Sequence, residues 1–155
     1  MMAAPPRKKN QADPCVEAPT LVLPEGKAKA RDVKALKGIA RVEGEEDGIG
    51  LGRGFHGHSR FSGASLSALL KASLPAGTDP GLLFVVVTGS DGYRSLYSGG
   101  EILLSRLPEN VVLVDTEDGK VLLRKSGRLR SVVRSDFFVD RSVRSVAEVR
   151  VIVAR

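Results

Sequence analysis

Two Asp-Gly pairs, each placed between runs of apolar residues, restrict this chain most strongly to a fold built from antiparallel strands. Phe84–Thr88 is a run of β-branched and aromatic residues, which indicates a buried strand. The chain then turns at Asp91-Gly92, where Gly supplies the positive φ that a tight hairpin needs. Asp118-Gly119 follows a second such run, Val111–Asp115. The sequence therefore predicts two β-hairpins.

The tip of the first hairpin is polar and predicts a candidate binding site. Asp91, Tyr93, Arg94 and Ser95 are expected to cluster there, where their polar groups can face a ligand. An ordinary solvated turn is the alternative, because loops are polar in most proteins. The pattern of residues alone does not decide between the two.

The remaining apolar segments complete an α+β prediction. Further strands are predicted at Thr20–Leu23, Ile39–Glu43, Leu129–Val133 and Val143–Val153, with helical segments at Ala30–Leu36, Phe61–Ala72 and in Gly99–Leu107. Phe61–Ala72 shows the clearest helix pattern, with Ser65 as its N-cap and leucines at 66, 69 and 70 forming one buried stripe. We predict a single α+β domain with mixed, mostly antiparallel sheets and two or three short helices.

Length and composition indicate one globular domain that follows a polar leader. The chain has 155 residues, of which 42% are hydrophobic and 27% charged, as in ordinary globular domains. Residues 1–18 are polar and Pro-rich and are predicted to be disordered, so the domain spans 19–155. No apolar run approaches the roughly 20 residues that a membrane helix needs, which predicts no membrane span.

A net charge of +6 allows a basic surface to bind phosphate, nucleic acid or an acidic partner, and the sequence does not favour nucleic acid among these. Basic residues outnumber acidic ones between 124 and 155, yet they alternate with apolar residues as in strands. Few aromatic residues are available for base stacking, so a nucleic-acid partner is not predicted. The single cysteine, Cys15, lies in the leader, where it can form neither an intrachain disulfide nor a cysteine-based zinc site.

A glycine-rich segment precedes the only two histidines. Glu43–Gly54 is predicted to be a loop, and its spacing of glycines does not fit a dinucleotide or Walker fingerprint. His56 and His58 alternate on an extended segment, so both rings are expected on one face, where they could share a metal ion. Two ligands do not complete a metal site, and a polar loop with two titratable imidazoles is the alternative.

Four segments in order resemble the molybdopterin-binding domain of the sulfite-oxidase-like oxidoreductases. Phe61–Leu70 is similar to the family's aromatic-x-Gly-x-x-Leu-x-x-Leu-Leu helix, and Ser90–Ser95 to its Ser-x-Asp-Gly-Tyr hairpin. Gly127–Val133 resembles its Gly-Pro-Leu-Arg-Leu-Val-Val strand, and Arg141–Val146 its closing segment. The resemblance covers residues 60 to 155.

This resemblance implies a site where the Asp91–Tyr93 hairpin meets the His56/His58 loop and Arg130. Molybdopterin is the cofactor it implies, although no residue establishes one. It also implies that Tyr93 donates a hydrogen bond there and that Arg130 faces an anion, with Asp91 and Arg94 beside them. The alternatives are a packed Tyr93 with its hydroxyl at the surface and an Arg130 paired with a carboxylate. Family members are commonly exported, which implies a periplasmic or other extracytoplasmic location with the signal removed.

One departure from the family favours a domain that has lost its chemistry. The family's molybdenum is held by a cysteine thiolate that precedes the aromatic-x-Gly helix, but Ile39–Gly54 contains no cysteine. We therefore expect a non-catalytic or degenerate domain that binds a small anionic ligand or a partner protein. The alternatives are a molybdopterin-dependent oxidoreductase, a redox subunit with a metal on His56 and His58, and a module of an assembly with an open sheet edge after Val153.

Overall fold

The fold consists of two β-sheets that pack around two short α-helices. The computed structural model describes residues 19–24, 28–30, 36, 38–52, 54–122 and 128–154. In these residues the strands are β1 Thr20–Val22, β2 Ala28–Ala30, β3 Arg41–Gly50, β4 Gly54–Ser65, β5 Leu83–Gly89, β6 Arg94–Ser98, β7 Val111–Glu117, β8 Lys120–Val121, β9 Arg130–Val133 and β10 Val146–Val153. The helices are α1 Leu66–Ser73 and α2 Gly99–Leu103, with 3-10 turns at Pro80–Leu82 and Val139–Arg141. The predicted single α+β domain is confirmed.

Sheet A has the strand order β2-β1-β10-β5-β6. β1 runs parallel to β10, and the other neighbouring strands are antiparallel. The predicted strand and return arm around Asp91-Gly92 are confirmed as β5 and β6, and Gly92 has the expected positive φ of +86°. β10 lies between β1 and β5, but β1 pairs only with residues 148–150, so among the described residues 151–153 are paired on the β5 side alone, and the open edge after Val153 stays a prediction.

Sheet B is built around β7, which is buried on both of its faces. β4 pairs with one side of β7 and β3 pairs with β4, while β8 and β9 pair with successive parts of the other side. Val111 and Leu113 face the main core with sheet A and the helices, whereas Val112 and Val114 face a second, smaller core. A continuous apolar run is typical of such a strand with both faces covered.

Helix α1 begins where β4 ends, at Ser65. The Ser65 hydroxyl oxygen accepts a hydrogen bond from the Ala68 amide at 3.1 Å, which confirms the predicted N-cap. The leucines at 66, 69 and 70 are buried as predicted. The predicted start of this helix at Phe61 is wrong, because residues 61 to 65 pair with β7 as the end of β4. Among the described residues, no helix combines the length and apolarity required to cross a membrane.

The segment Glu43–Gly54 is not the predicted loop but part of a long hairpin formed by β3 and β4. Cross-strand pairs of opposite charge replace the apolar alternation that would have marked strands: Glu45 lies opposite Arg60, and Asp47 lies opposite His58. The turn itself uses glycines, with Gly52 at a φ of +80°. Of the predicted helix Ala30–Leu36, Ala30 ends β2 and residues 31–35 lie outside the described residues, as does the leader 1–18.

Candidate functional site

Asp140 contacts both the β5–β6 hairpin and the turn between β3 and β4. The Tyr93 hydroxyl, next to the tip of the β5–β6 hairpin, donates a hydrogen bond to the backbone carbonyl oxygen of Asp140. The amide of Leu51, in the turn between β3 and β4, donates to Asp140 Oδ2 at 3.1 Å. The turn Val139–Arg141 therefore lies between the hairpin ends and contacts both.

The tip of the β5–β6 hairpin is a closed turn in which Asp91 has a structural contact. Its Oδ1 accepts a hydrogen bond from the Tyr93 amide at 3.0 Å, and the Gly92 amide donates to the Gly89 carbonyl oxygen at 2.9 Å. Tyr93 and Arg94 are exposed, whereas Ser95 is buried and faces the core. Tyr93 and Arg94 are therefore accessible next to the tip and Ser95 is not, and a ligand site at the tip stays a prediction.

Arg130 lies in β9 and is paired with two carboxylates. Its Nη1 is 3.1 Å from Glu46 Oε1, and its Nε is 3.2 Å from Glu117 Oε2. Only 13% of the Arg130 side chain is exposed. Both partners are carboxylates, so they neutralise the charge of Arg130 and would repel an anion that approached it. This arrangement corresponds to the alternative in which Arg130 is paired with a carboxylate.

His58 contacts a carboxylate. The strand is irregular between His56 and His58, whereas placing both imidazole rings on one face of the sheet requires a regular strand. The His58 Nδ1 is 2.8 Å from Asp47 Oδ1, and this hydrogen bond raises the pKa of the imidazole. Gly57, between the two histidines, has a φ of +117°, and the register of β3 and β4 shifts nearby. In the part of the chain that the structure describes, no group of three or more His, Cys, Asp or Glu side chains is arranged to hold a metal ion.

A groove of about 190 Å³ lies between β3 and the segment 132–142, and we call it the hairpin groove. Its lining includes acidic residues, one arginine and three phenylalanines: Glu45, Glu46, Asp47, Asp136, Arg134, Phe61, Phe137 and Phe138. Phe61 is buried, whereas Phe137 is 71% exposed. The rings of Phe137 and Phe138 are 5.0 Å apart and nearly perpendicular, as in a stable edge-to-face pair.

The segment that carries these two phenylalanines is held in place by Arg141. The guanidinium group binds both oxygens of Asp136, at 2.7 and 2.8 Å, and Nη1 binds Glu101 at 2.9 Å. The pKa of Arg141 is raised, chiefly by the hydrogen bonds to Asp136. The aromatic pair is thus presented on a fixed turn. In the sequence, this surface is marked only by the two adjacent phenylalanines between Asp136 and Asp140, which belong to none of the motifs described above.

The region in which the family has its thiolate contains a salt bridge. Arg41 donates to both oxygens of Asp115, at 2.6 and 2.8 Å, and to the Ser62 hydroxyl at 2.8 Å. The hydrogen bond to Asp115 raises the pKa of Arg41. The guanidinium group of Arg41 and the carboxylate of Asp115 are therefore paired with each other. Because no thiolate lies among the described residues, this part of the chain does not fit a thiolate-bound molybdenum cofactor.

Comparison with known proteins supports the fold. No family model matches the chain, and no curated protein matches it. Among solved structures, the chain is similar to the sulfane dehydrogenase SoxCD from Paracoccus pantotrophus, with a TM-score of 0.64 and 17% sequence identity. The match covers 88% of this chain but 38% of that chain, so the chain spans well under half of its neighbour's length. A likeness of this kind shows the sulfite-oxidase-like fold alone.

Two glycines in the motifs that resemble the family have structural roles here. Gly63, in the aromatic-x-Gly motif, passes so close to β7 that a Cβ would lie 2.2 Å from the Leu113 carbonyl oxygen. Gly92, in the Asp-Gly-Tyr motif, has the positive φ that closes the hairpin. The glycine of each motif is therefore explained by a requirement of the backbone.

Proposed function

We propose that this chain is a non-catalytic domain of sulfite-oxidase-like fold that binds a partner protein at the hairpin groove. The observation that carries the proposal is Phe137, which is 71% exposed at the edge of this groove. Leaving a phenylalanine side chain in water forgoes about 1.5–3 kcal/mol of burial free energy. Its turn is already ordered by Arg141, so a partner would gain this burial with little loss of conformational entropy.

A partner protein fits this surface better than a small anionic ligand. The groove of about 190 Å³ is smaller than the roughly 300–1,000 Å³ of ordinary ligand pockets. Its lining contains four acidic residues (Glu45, Glu46, Asp47 and Asp136) and one basic residue, Arg134, so the charge balance of the groove disfavours an anion. Arg130, the cation that the family resemblance assigns to anion binding, already has two carboxylate partners.

A second candidate function is a redox subunit, favoured by the likeness to a dehydrogenase. It predicts a stoichiometric metal or a pterin chromophore in protein purified without affinity metal. Elemental analysis and an absorbance spectrum distinguish the two candidates. Stoichiometric molybdenum would overturn the non-catalytic proposal, and a bound metal that disappears in the His58→Ala variant would favour the histidine-based redox subunit.

The partner is tested by photo-crosslinking in the source cell. In one variant a photoreactive amino acid replaces Phe137. In the control variant it replaces Leu104, which is 66% exposed and follows α2. We expect one defined adduct at position 137 and none at position 104. The adduct protein is then purified, and its affinity for the wild-type chain is compared with that for Phe137→Ala, for which we expect at least about a tenfold loss. Equal crosslinking at both positions, or equal affinity for both chains, would contradict the proposal.

A further inference from the structure

Among the described residues, sheet A has two edge strands, β2 and β6, of which β6 is the longer with five residues. In this part of the chain β6 pairs with β5 alone, whereas β10 pairs with β5 on one side and, over residues 148–150, with β1 on the other. An edge strand presents unpaired backbone donors and acceptors that can pair with another strand. Natural edges are commonly protected by proline, glycine bulges or several charges, but β6 (RSLYS) has one charged residue, Arg94.

The hairpin fixes which backbone groups of β6 point outward. The Gly89 amide donates to the Tyr93 carbonyl oxygen at 2.8 Å, so these two residues form a hydrogen-bonded pair. Such pairs alternate along an antiparallel ladder. The backbone groups of Ser95 and Tyr97 consequently face β5, and those of Arg94, Leu96 and Ser98 face the open edge.

The side chains of β6 make the outer face of this edge apolar. Ser95 and Tyr97 are buried in the core, whereas Leu96 is 59% exposed on the opposite face. Val86 lies opposite Leu96 in β5, and Phe84, also exposed, lies two residues from Val86 on the same face. An edge with free backbone groups therefore coincides with an exposed apolar strip.

We propose that a second copy of this chain pairs with it along β6, antiparallel and about a two-fold axis at Leu96. This register makes Leu96 a hydrogen-bonded pair with Leu96 of the second copy, which uses the outward backbone groups of both strands. It also places Arg94 opposite Ser98 of the second copy. The two apolar strips then become continuous across the axis.

Charge selects this register over its neighbour. An axis at Arg94 would place two guanidinium groups directly opposite each other, and like charges in this position destabilise a strand pair. An axis at Leu96 separates the two Arg94 side chains by the length of the strand and pairs each with a hydroxyl group. The contact uses sheet A and not the hairpin groove, so it is independent of the proposed partner site.

The test measures the mass of the full chain in solution by sedimentation equilibrium at increasing protein concentration. We expect a reversible dimer in the wild type and at least about a tenfold weaker dimer in Leu96→Lys, where two ammonium groups meet at the axis. Ile152→Lys is the matched control, because Ile152 is also exposed on the outer face of sheet A but lies in β10, opposite Phe84 of β5 and away from the β6 edge. Edge pairing predicts that Ile152→Lys dimerises as the wild type does.

Equal weakening by both substitutions would indicate face-to-face packing of sheet A and would overturn the proposed pairing. A wild-type monomer at all concentrations would overturn it as well. Amide hydrogen exchange provides a readout on the unmodified protein. The Leu96 amide is expected to become protected as concentration rises, while protection of the Ser95 amide, which faces β5, stays constant. Protection of both amides that is independent of concentration would contradict the proposal.

Discussion

The guanidinium group of Arg141 lies over the ring of Tyr97, with Cζ 5.2 Å from the ring centre. Tyr97 is fully buried, and its hydroxyl group donates to the backbone carbonyl oxygen of Arg141 at 3.3 Å. The same guanidinium group binds Asp136 and Glu101. One arginine therefore connects strand β6, helix α2 and the segment that carries Phe137, which makes it the main anchor of the proposed partner surface.

Replacing Arg141 by lysine should destabilise the protein although the charge is kept. A lysine ammonium group cannot bind both oxygens of Asp136 and also reach Glu101 with the planar geometry of a guanidinium group. We expect a loss of about 1–2 kcal/mol in the free energy of unfolding, a value that allows for the partial exposure of Arg141. Urea denaturation measures it. Arg150→Lys is the control, since Arg150 pairs with Glu148 at the surface, and a loss of similar size there would contradict the prediction.

Asp115→Asn should have a larger effect, because it removes the buried charge of an ion pair whose other member, Arg41, is 35% exposed. The Asp115 side chain is 6% exposed and accepts two hydrogen bonds from Arg41. An amide keeps one acceptor oxygen but turns an N–H group toward the guanidinium, so we expect a loss of about 3 kcal/mol in unfolding free energy. Asp118→Asn is the control. The exposed Asp118 side chain accepts a hydrogen bond from the Arg60 amide, and the amide oxygen of Asn can accept the same bond. Similar denaturation midpoints for the two variants would contradict the expected difference.

The hairpin around Asp91-Gly92 shows what the sequence was sufficient to predict. Its strand, its turn and the positive φ of Gly92 all depend on residues within a few positions of one another, and all three are present. The same holds for Ser65, whose hydroxyl group caps the helix that begins one residue later. Local rules of turn and cap chemistry account for these features, because no distant residue is needed to form them.

Arg130 shows what the sequence could not predict. Its partner Glu46 is 84 positions away and lies in a segment that the glycines and acidic residues marked as a loop. Pairing of β3 with β4 brings Glu46 into reach, and that pairing depends on opposite charges across the strands, which a search for apolar alternation does not detect. The same limit applies to the hairpin groove, since its two walls are distant in sequence.

Gly63→Ala tests whether the aromatic-x-Gly motif serves the backbone. A Cβ at this position would lie 2.2 Å from the Leu113 carbonyl oxygen and 2.7 Å from the Leu113 carbonyl carbon, both of them backbone atoms of β7. Because β4 and β7 would have to separate, we expect a loss of about 3 kcal/mol in unfolding free energy. Gly38→Ala is the matched control, since a Cβ there meets no described atom within 4 Å. A melting temperature of Gly63→Ala equal to that of Gly38→Ala would refute this explanation.

His58 predicts a pH dependence of stability with a definite sign. Its hydrogen bond with Asp47 raises the folded-state pKa of the imidazole above the ordinary value of 6.5. The stabilisation is therefore complete below about pH 6.5 and is lost as pH rises through the folded-state pKa. We expect the melting temperature to fall over that interval in the wild type and to fall less in His58→Gln, with His56→Gln behaving as the wild type. Added salt should reduce the difference, because the ring is exposed and its attraction to Asp47 is screened. The same slope in both variants would show that another group causes the pH dependence.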